Sequence, residues 1–169
     1  TETVTIGAIG TSNEIGAVLI DAHDGITLTG NITLADAAGA DLDLDGKVFI
    51  SGDVVIDTDN TTHDGLINFE STIDGVSGDS ADDDLEIKAG DNDTTAATNP
   101  GGVLTLGGAI GDTVALTTLK INATAGDIVL DIPQIGGGTA AGVTGQVDIG
   151  NSNTARIDVN GNLDFGTGN

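Results

Sequence analysis

The sequence predicts an all-β fold in which short strands wind into a β-solenoid, and three observations carry that prediction. Helical periodicity is absent, and an apolar–x–apolar unit recurs along the chain instead. Many of these units lie only 6 to 8 residues apart. That leaves two or three residues for a bend, too few for a meander of full-length hairpins but enough for a chain that turns a corner after each short strand. Gly makes up 27 of the 169 residues, more than twice the usual ~7%, with no collagen-like period. The glycines therefore read as turn residues.

In order, the units are VTI at 4, VLI at 18, ITL at 26 and again at 32, LDL at 42, VFI at 48, VVI at 54 and INF at 67. They continue with LEI at 85, LTL at 104, LKI at 119, IVL at 128, VDI at 147, IDV at 157 and LDF at 163. Each predicts a strand of ~3–5 residues with alternate side chains inward. Val and Ile favour this because a branched Cβ suits a pleated surface. The closing residues are Gly, Asp, Asn or Thr, which favour turns. With three Phe and no Trp, Tyr, Met or Cys, the core must be aliphatic. The expected core residues are Ile20, Leu28, Leu44, Ile50, Ile56, Phe69, Ile87, Leu106, Ile121, Leu130, Ile149, Val159 and Phe165.

A longer period overlies the short one. IGTSNEIGAVLIDAHDG at 9–25 matches IGDTVALTTLKINATAG at 110–126, which sets Val18 against Leu119 and Ile20 against Ile121. GKVFI at 46 likewise matches GQVDI at 145, and VVIDTD at 54 matches ARIDVN at 155. The reading is a single continuous solenoid over 1–169, with a ~100-residue repeat at about 4–104 and 105–169 whose second copy is incomplete. Turns of ~20 residues would give ~8 turns and a rod of ~40 Å. The competing architecture is a tandem of immunoglobulin-like β-sandwiches, whose domain is also ~100 residues long.

Charge excludes several functions. There are 27 acids against Lys47, Lys88, Lys120 and Arg156, a net of −23, and only four of the acids are Glu. Such a polyanion repels phosphate backbones and anionic membranes, so no nucleic-acid partner is expected. No apolar run is long enough for membrane insertion. Regularly spaced aliphatics and a positive mean hydropathy argue for an ordered chain. Absent cysteine rules out disulfides.

DLDLDGKVFI at 41–50 raises a question of its own. Asp41, Asp43, Asp45 and Gly46 spell the opening of a calcium loop, yet the alternation with Leu42 and Leu44 spells a half-buried strand. In the repeat these acids face Ala140, Gly142 and Thr144 while the aliphatics persist, and the twelfth loop position is Gly52 where a calcium loop wants Glu. The stretch is expected to be a strand with an acidic outer face. Further Asp clusters occur at 57–64, 78–84 and 90–95, and they read as solvated loops. The densest, Asp79 with Asp82, Asp83 and Asp84, is the candidate metal site, for calcium. His23 and His63 both stand in HDG, which reads as a turn with Gly at positive φ. Asn31, Asn60, Asn92 and Asn122 each begin an N-x-T acceptor sequence. No catalytic residue is nominated, and the chain is not expected to be an enzyme. There is no Cys or Tyr and no recognisable Ser–His motif, and acid pairs are too frequent to select a site.

GGVLTLGGAIGDTVALTTLKINATAGDIVL at 101–130, with LINFESTIDG at 66–75 and LEIKAG at 85–90, resembles the β-helical repeats of giant bacterial surface proteins of the filamentous-haemagglutinin type. The resemblance implies a right-handed parallel β-helix, an extracellular cell-surface location and a shaft that carries no defined functional residues. The function expected is a structural, non-catalytic segment of a large adhesin or fibre that supports attachment or cell–cell contact. The alternative is a self-assembling subunit of an extracellular filament, sheath or surface layer. Expected partners are other copies or further repeats of the protein end to end, and cell-surface or matrix components. No cofactor is expected beyond possible calcium.

Overall fold

The computed structural model describes residues 3–10, 13, 15–60, 62–79, 82–89, 104–122, 127–130, 135–136, 142–150 and 156–159. Among them the protein is all-β, with no helix. In chain order the strands are β1 (Thr3–Ile6), β2 (Val18–Asp21), β3 (Gly25–Leu28), β4 (Ile32–Thr33), β5 (Leu42–Asp45), β6 (Val48–Ile50), β7 (Asp53–Asp57) and β8 (Ile67–Phe69). They continue as β9 (Ile73–Gly75), β10 (Asp84–Lys88), β11 (Leu104–Leu106), β12 (Thr118–Asn122), β13 (Asp127–Leu130), β14 (Val147–Ile149) and β15 (Arg156–Val159).

These strands form three separate sheets. Sheet I has the order β1-β3-β6-β9, sheet II β14-β12-β10-β7-β4, and sheet III β15-β13-β11-β8-β5-β2. Every ladder is parallel. The chain visits the sheets in a fixed order, I then II then III. Ile9, Ile110 and Ile135 stand in for strands through single parallel bridges to Ile32, Ile73 and Ile110. This arrangement is compatible with the solenoid expected. It overturns the immunoglobulin-like alternative, whose sheets are antiparallel.

One circuit is longer than the ~20 residues expected. Within the strand ladders, paired residues lie between 22 positions apart, Thr3 and Gly25, and 37 apart, Ile67 and Leu104. The excess sits in corners, such as the stretch between β9 and β10. Sheet III consequently holds six strands among the described residues, which at ~4.8 Å per step spans ~24 Å rather than ~40 Å. The ~100-residue matches do not occupy equivalent places. Val18–Asp21 lies in sheet III but its match 119–122 in sheet II, and Val48–Ile50 lies in sheet I but its match Val147–Ile149 in sheet II. What the two halves share is the apolar–x–apolar unit, which suits any of the three sheets.

Alternation decides what is buried. In β5, Leu42 and Leu44 are sealed while Asp43 between them faces out, and β7 does the same with Val54 and Ile56 around Val55. Of the expected core, Leu28, Leu44, Ile50, Ile56, Phe69, Ile87, Leu106 and Ile121 are fully buried, and Ile20 and Ile149 are partly buried against them. The side chains of Leu130 and Val159, and Phe165 altogether, lie outside the described residues. Phe69 is the largest sealed side chain, stacked in register between Leu44 and Leu106. Phe69→Ala should therefore cost about 3–5 kcal/mol in urea-induced unfolding. Phe49→Ala, on the outer side of β6, should cost less than half as much.

Candidate functional site: carboxylates at the corners

The 41–50 stretch forms two strands, β5 in sheet III and β6 in sheet I, with a corner at Gly46 between them. Leu42 and Leu44 point inward, and the acids serve the neighbouring circuit. Asp41 Oδ1 accepts the Leu66 N–H at 2.9 Å, and Asp43 Oδ1 accepts from Asn68 Nδ2 at 3.0 Å. Gly46 is required by the corner and not by an ion. It has φ +141°, and a Cβ there would stand 2.3 Å from the Ala22 carbonyl oxygen.

The same use of side chains recurs at other corners. Asp74 is 4% exposed, and its Oδ1 accepts the N–H groups of Thr113 at 2.8 Å and Val114 at 3.2 Å. Asp36 Oδ1 accepts the N–H groups of His63 at 2.8 Å and Thr62 at 3.2 Å. Asn31 Oδ1 accepts the Val55 N–H at 2.9 Å. Asn60 works in the opposite sense, its Nδ2 donating to the Ala35 carbonyl at 3.1 Å and the Leu34 carbonyl at 3.3 Å. Parallel stacking satisfies backbone groups only where strands lie side by side. At corners the paths diverge, and a short polar side chain reaches across to meet the N–H or C=O left over. These acids are therefore not simply solvated. They staple one circuit to the next.

Of the four nominated metal ligands, Asp83 follows this logic and the other three do not. Asp83 is 6% exposed and accepts N–H groups on both oxygens, from Gly52 at 3.3 Å and Val76 at 3.1 Å. Desolvation pushes its pKa up, the Gly52 N–H opposes this, and the charges of Asp79 and Asp82 push it further up. Asp79 Oδ2 accepts from Ser51 Oγ at 3.0 Å, and Asp82 is exposed. Asp84 opens β10 in register with Asp53 and Thr118, its Oδ1 buried without a hydrogen-bond partner. Among the described residues, no three His, Asp or Glu side chains are grouped so as to hold a metal ion.

The two HDG stretches differ. Gly25 sits at φ +136°, as a turn glycine should, whereas Gly65 is not at positive φ. It is small because a Cβ would fall 1.9 Å from the Ala40 carbonyl oxygen. His63 Nδ1 also lies 3.4 Å from Asp36 Oδ1. Desolvation pushes the Asp36 carboxyl up, but the hydrogen bonds from His63 and Thr62 outweigh it and hold its pKa below the ordinary value. Of the N-x-T asparagines, Asn31 and Asn60 are engaged as above, Asn122 Nδ2 lies 3.5 Å from Glu86 Oε1, and Asn92 is outside the described residues.

The outer faces differ in charge. On sheet II, Lys88 pairs with Asp57 at 3.3 Å and Lys120 with Glu86 at 2.8 Å, each bridging adjacent circuits. The Glu86 hydrogen bond and charge push the Lys120 pKa up. A shallow groove of about 290 Å³ runs there between Asp53, Asp84, Glu86, Thr118 and Lys120. Sheet III places Asp21 directly beside Asp45, with Asp43 on the same strand. Sequence reasoning found the acids but not their backbone partners. The only available signal was an Asp or Asn at a corner one circuit away from another corner, and that requires the circuit length first.

Comparison with protein-family models, with curated proteins and with solved structures finds no match to this chain.

Asp74→Ala should lower stability by about 1–3 kcal/mol, since two N–H groups, of Thr113 and Val114, lose the charged acceptor that joins them to the preceding circuit. Measured by urea unfolding, Asp74→Asn should recover part of the loss through its own carbonyl oxygen. Asp83 predicts a pH signature of opposite sign to an ordinary stapled acid. Its folded pKa lies above the unfolded one, so its charge costs stability above the folded pKa, and the cost disappears as pH falls through that value. The stability of wild type relative to Asp83→Asn should therefore decline as pH rises through the raised pKa. A flat difference between about pH 3.5 and 7 would contradict this.

Proposed function

We propose that this chain is a structural, non-catalytic shaft segment of a large secreted or cell-surface adhesin or fibre, folded as a right-handed parallel β-solenoid. The observation that carries the reading is the repeated order of sheets I, II and III, with each strand paired in parallel to its counterpart one circuit on. Crossovers between parallel strands of one sheet are overwhelmingly right-handed, which supports the handedness. A stack of this kind can be lengthened by adding circuits, and it gains rigidity from its aliphatic columns and corner staples.

The chemistry of the surface supports a passive rod. Carboxylates point outward or hold backbone, and cations on sheet II lie in ion pairs between circuits. A protein facing salt water outside the cell gains solubility from such a coat, because its copies repel one another beyond contact. The resemblance to filamentous-haemagglutinin repeats points the same way, to attachment or cell–cell contact carried out by other parts of a longer protein.

Antibodies raised against the chain should label intact cells of the source organism, and removing the encoded segment should reduce their attachment to surfaces or to one another. Labelling confined to permeabilised cells would sink the reading. As a second expectation, sodium and calcium chlorides at matched ionic strength should raise the thermal midpoint alike, through screening. Circular dichroism in EDTA and in ~2 mM calcium checks this, and a calcium-specific rise would restore an ion to the Asp79–Asp84 corner.

A further inference from the structure

Asn31, Asn60 and Asn122 each open an N-x-T sequence, and the fold treats the three differently. Asn60 is half-buried, and its Nδ2 donates to the carbonyls of Leu34, Ala35 and Thr58 at 3.3, 3.1 and 3.3 Å. Asn122 lies within sheet II, with Nδ2 at 3.5 Å from Glu86 Oε1. Asn31 is the reverse case. It is exposed, and it meets its neighbours through oxygen: Oδ1 accepts the Val55 N–H of the following circuit at 2.9 Å, and the backbone carbonyl accepts the Ile9 N–H of the preceding one at 2.8 Å. With Oδ1 held on Val55, the planar amide directs Nδ2 away from β7, and among the described residues Nδ2 donates to nothing. Ile32 is sealed, so alternation sets Asn31 and Thr33 on one outer face, two residues apart. β4 is also the edge strand of sheet II. Beyond it, across the bridge from Ile32 to Ile9, stand exposed Gly7 and Ala8, and a Cβ on Gly7 would meet nothing within 4 Å. On that side the neighbours end in a hydrogen and a methyl group, which leaves room beside Nδ2.

We propose that Asn31 is an N-glycosylation site, and that it is the one of these three that the folded protein carries modified. An acceptor of this class is an Asn with a hydroxyl residue two positions on, at the protein surface. The donor is a glycosyl diphosphate, supplied with its transferase by the cell. Nδ2 attacks the anomeric carbon, the bond from that carbon to the diphosphate oxygen breaks with its electron pair leaving on the diphosphate, and Nδ2 loses one proton. The product keeps Oδ1 and one N–H, so the staple to Val55 survives the modification. At Asn60 the same reaction would consume one of two N–H groups that serve three carbonyls, and would press a sugar into a half-buried corner. At Asn122 it would set the sugar against Glu86 and the strands on either side. The inference rests on the cell-surface reading for its setting, and the two fail separately. An unmodified Asn31 on protein that labels intact cells sinks this inference alone, whereas labelling confined to permeabilised cells sinks that reading whatever Asn31 carries.

Glycopeptide mass spectrometry of the protein purified from its source organism tests it. A sugar increment is expected on the peptide that contains Asn31, with fragmentation placing it on the amide nitrogen, and none on the peptide that contains Asn60. Thr33→Val keeps Asn31, its staple and the branched strand residue but removes the hydroxyl, and should abolish the increment. Thr33→Ser restores a hydroxyl and should bring it back, which a purely structural role for Thr33 would not do. Circular dichroism midpoints check that both variants are folded. An unmodified Asn31 overturns the proposal, as does a sugar that fragmentation places on the Thr29 or Thr33 hydroxyl. Modification of Asn60 in folded protein, or retention of the increment in Thr33→Val, overturns it as well.

Discussion

In-register stacking of parallel strands is the constraint from which the rest of this structure follows. Each inward side chain lies directly over its counterpart in the next circuit, as in the column Val4, Ile26, Val48, Ile73, Ile110 and Ile135. A slot between two such neighbours accepts a side chain of roughly constant width and no polar group. That accounts for a core of Ile, Leu and Val with a single sealed aromatic, Phe69, seated between two leucines. It also accounts for the alternation along strands such as β5, β7 and β10, since the residue between two inward ones points to the other face of the sheet.

Stacking leaves a problem that the acids solve. Strand backbones pair with their neighbours along the stack, but at corners the paths of successive circuits differ, and N–H groups there lack partners. Asp suits the position because its two acceptor oxygens sit on a short side chain that favours turns. Asp36 and Asp74 each collect two N–H groups from a distant segment, and Asp83 collects one from distant Gly52 and one from nearby Val76. Several of the acids that composition presents as surface charge thus also serve as scaffolding between segments. Asp36 and Asp83 show that one task can be done at opposite electrostatic cost. Asp36 is exposed enough for its donors to stabilise the charge, while Asp83 loses more to desolvation and to the acids beside it than its donors return.

Legibility in the sequence followed the same division. Strands could be located because the apolar–x–apolar unit is a local signal, and the inward residues Leu44, Ile56 and Ile87 follow from alternation alone. The question posed by Asp41 to Gly46 was answerable too, since Leu42 and Leu44 outweigh an incomplete ligand set. Circuit length was not legible, because a corner can absorb residues without altering the strands it joins. The ~100-residue period misled about place for a related reason. Any apolar–x–apolar unit fits any of the three sheets, so a match such as Ile20 with Ile121 reports a shared unit and not a shared position. The staples were invisible because each joins residues about one circuit apart, and nothing local links Asp74 to Thr113.

Register therefore binds the strands tightly and the corners loosely. A one-residue slip within β7 would turn Val54 and Ile56 outward and bring Asp53, Val55 and Asp57 into the core, which no stack could tolerate. An insertion between strands costs only loop-closure entropy, which grows slowly with length. Circuits from 22 to 37 residues accordingly coexist in one molecule with unbroken ladders on all three sheets. Corners are where such a chain can vary, and the strands, held by register, are where it cannot.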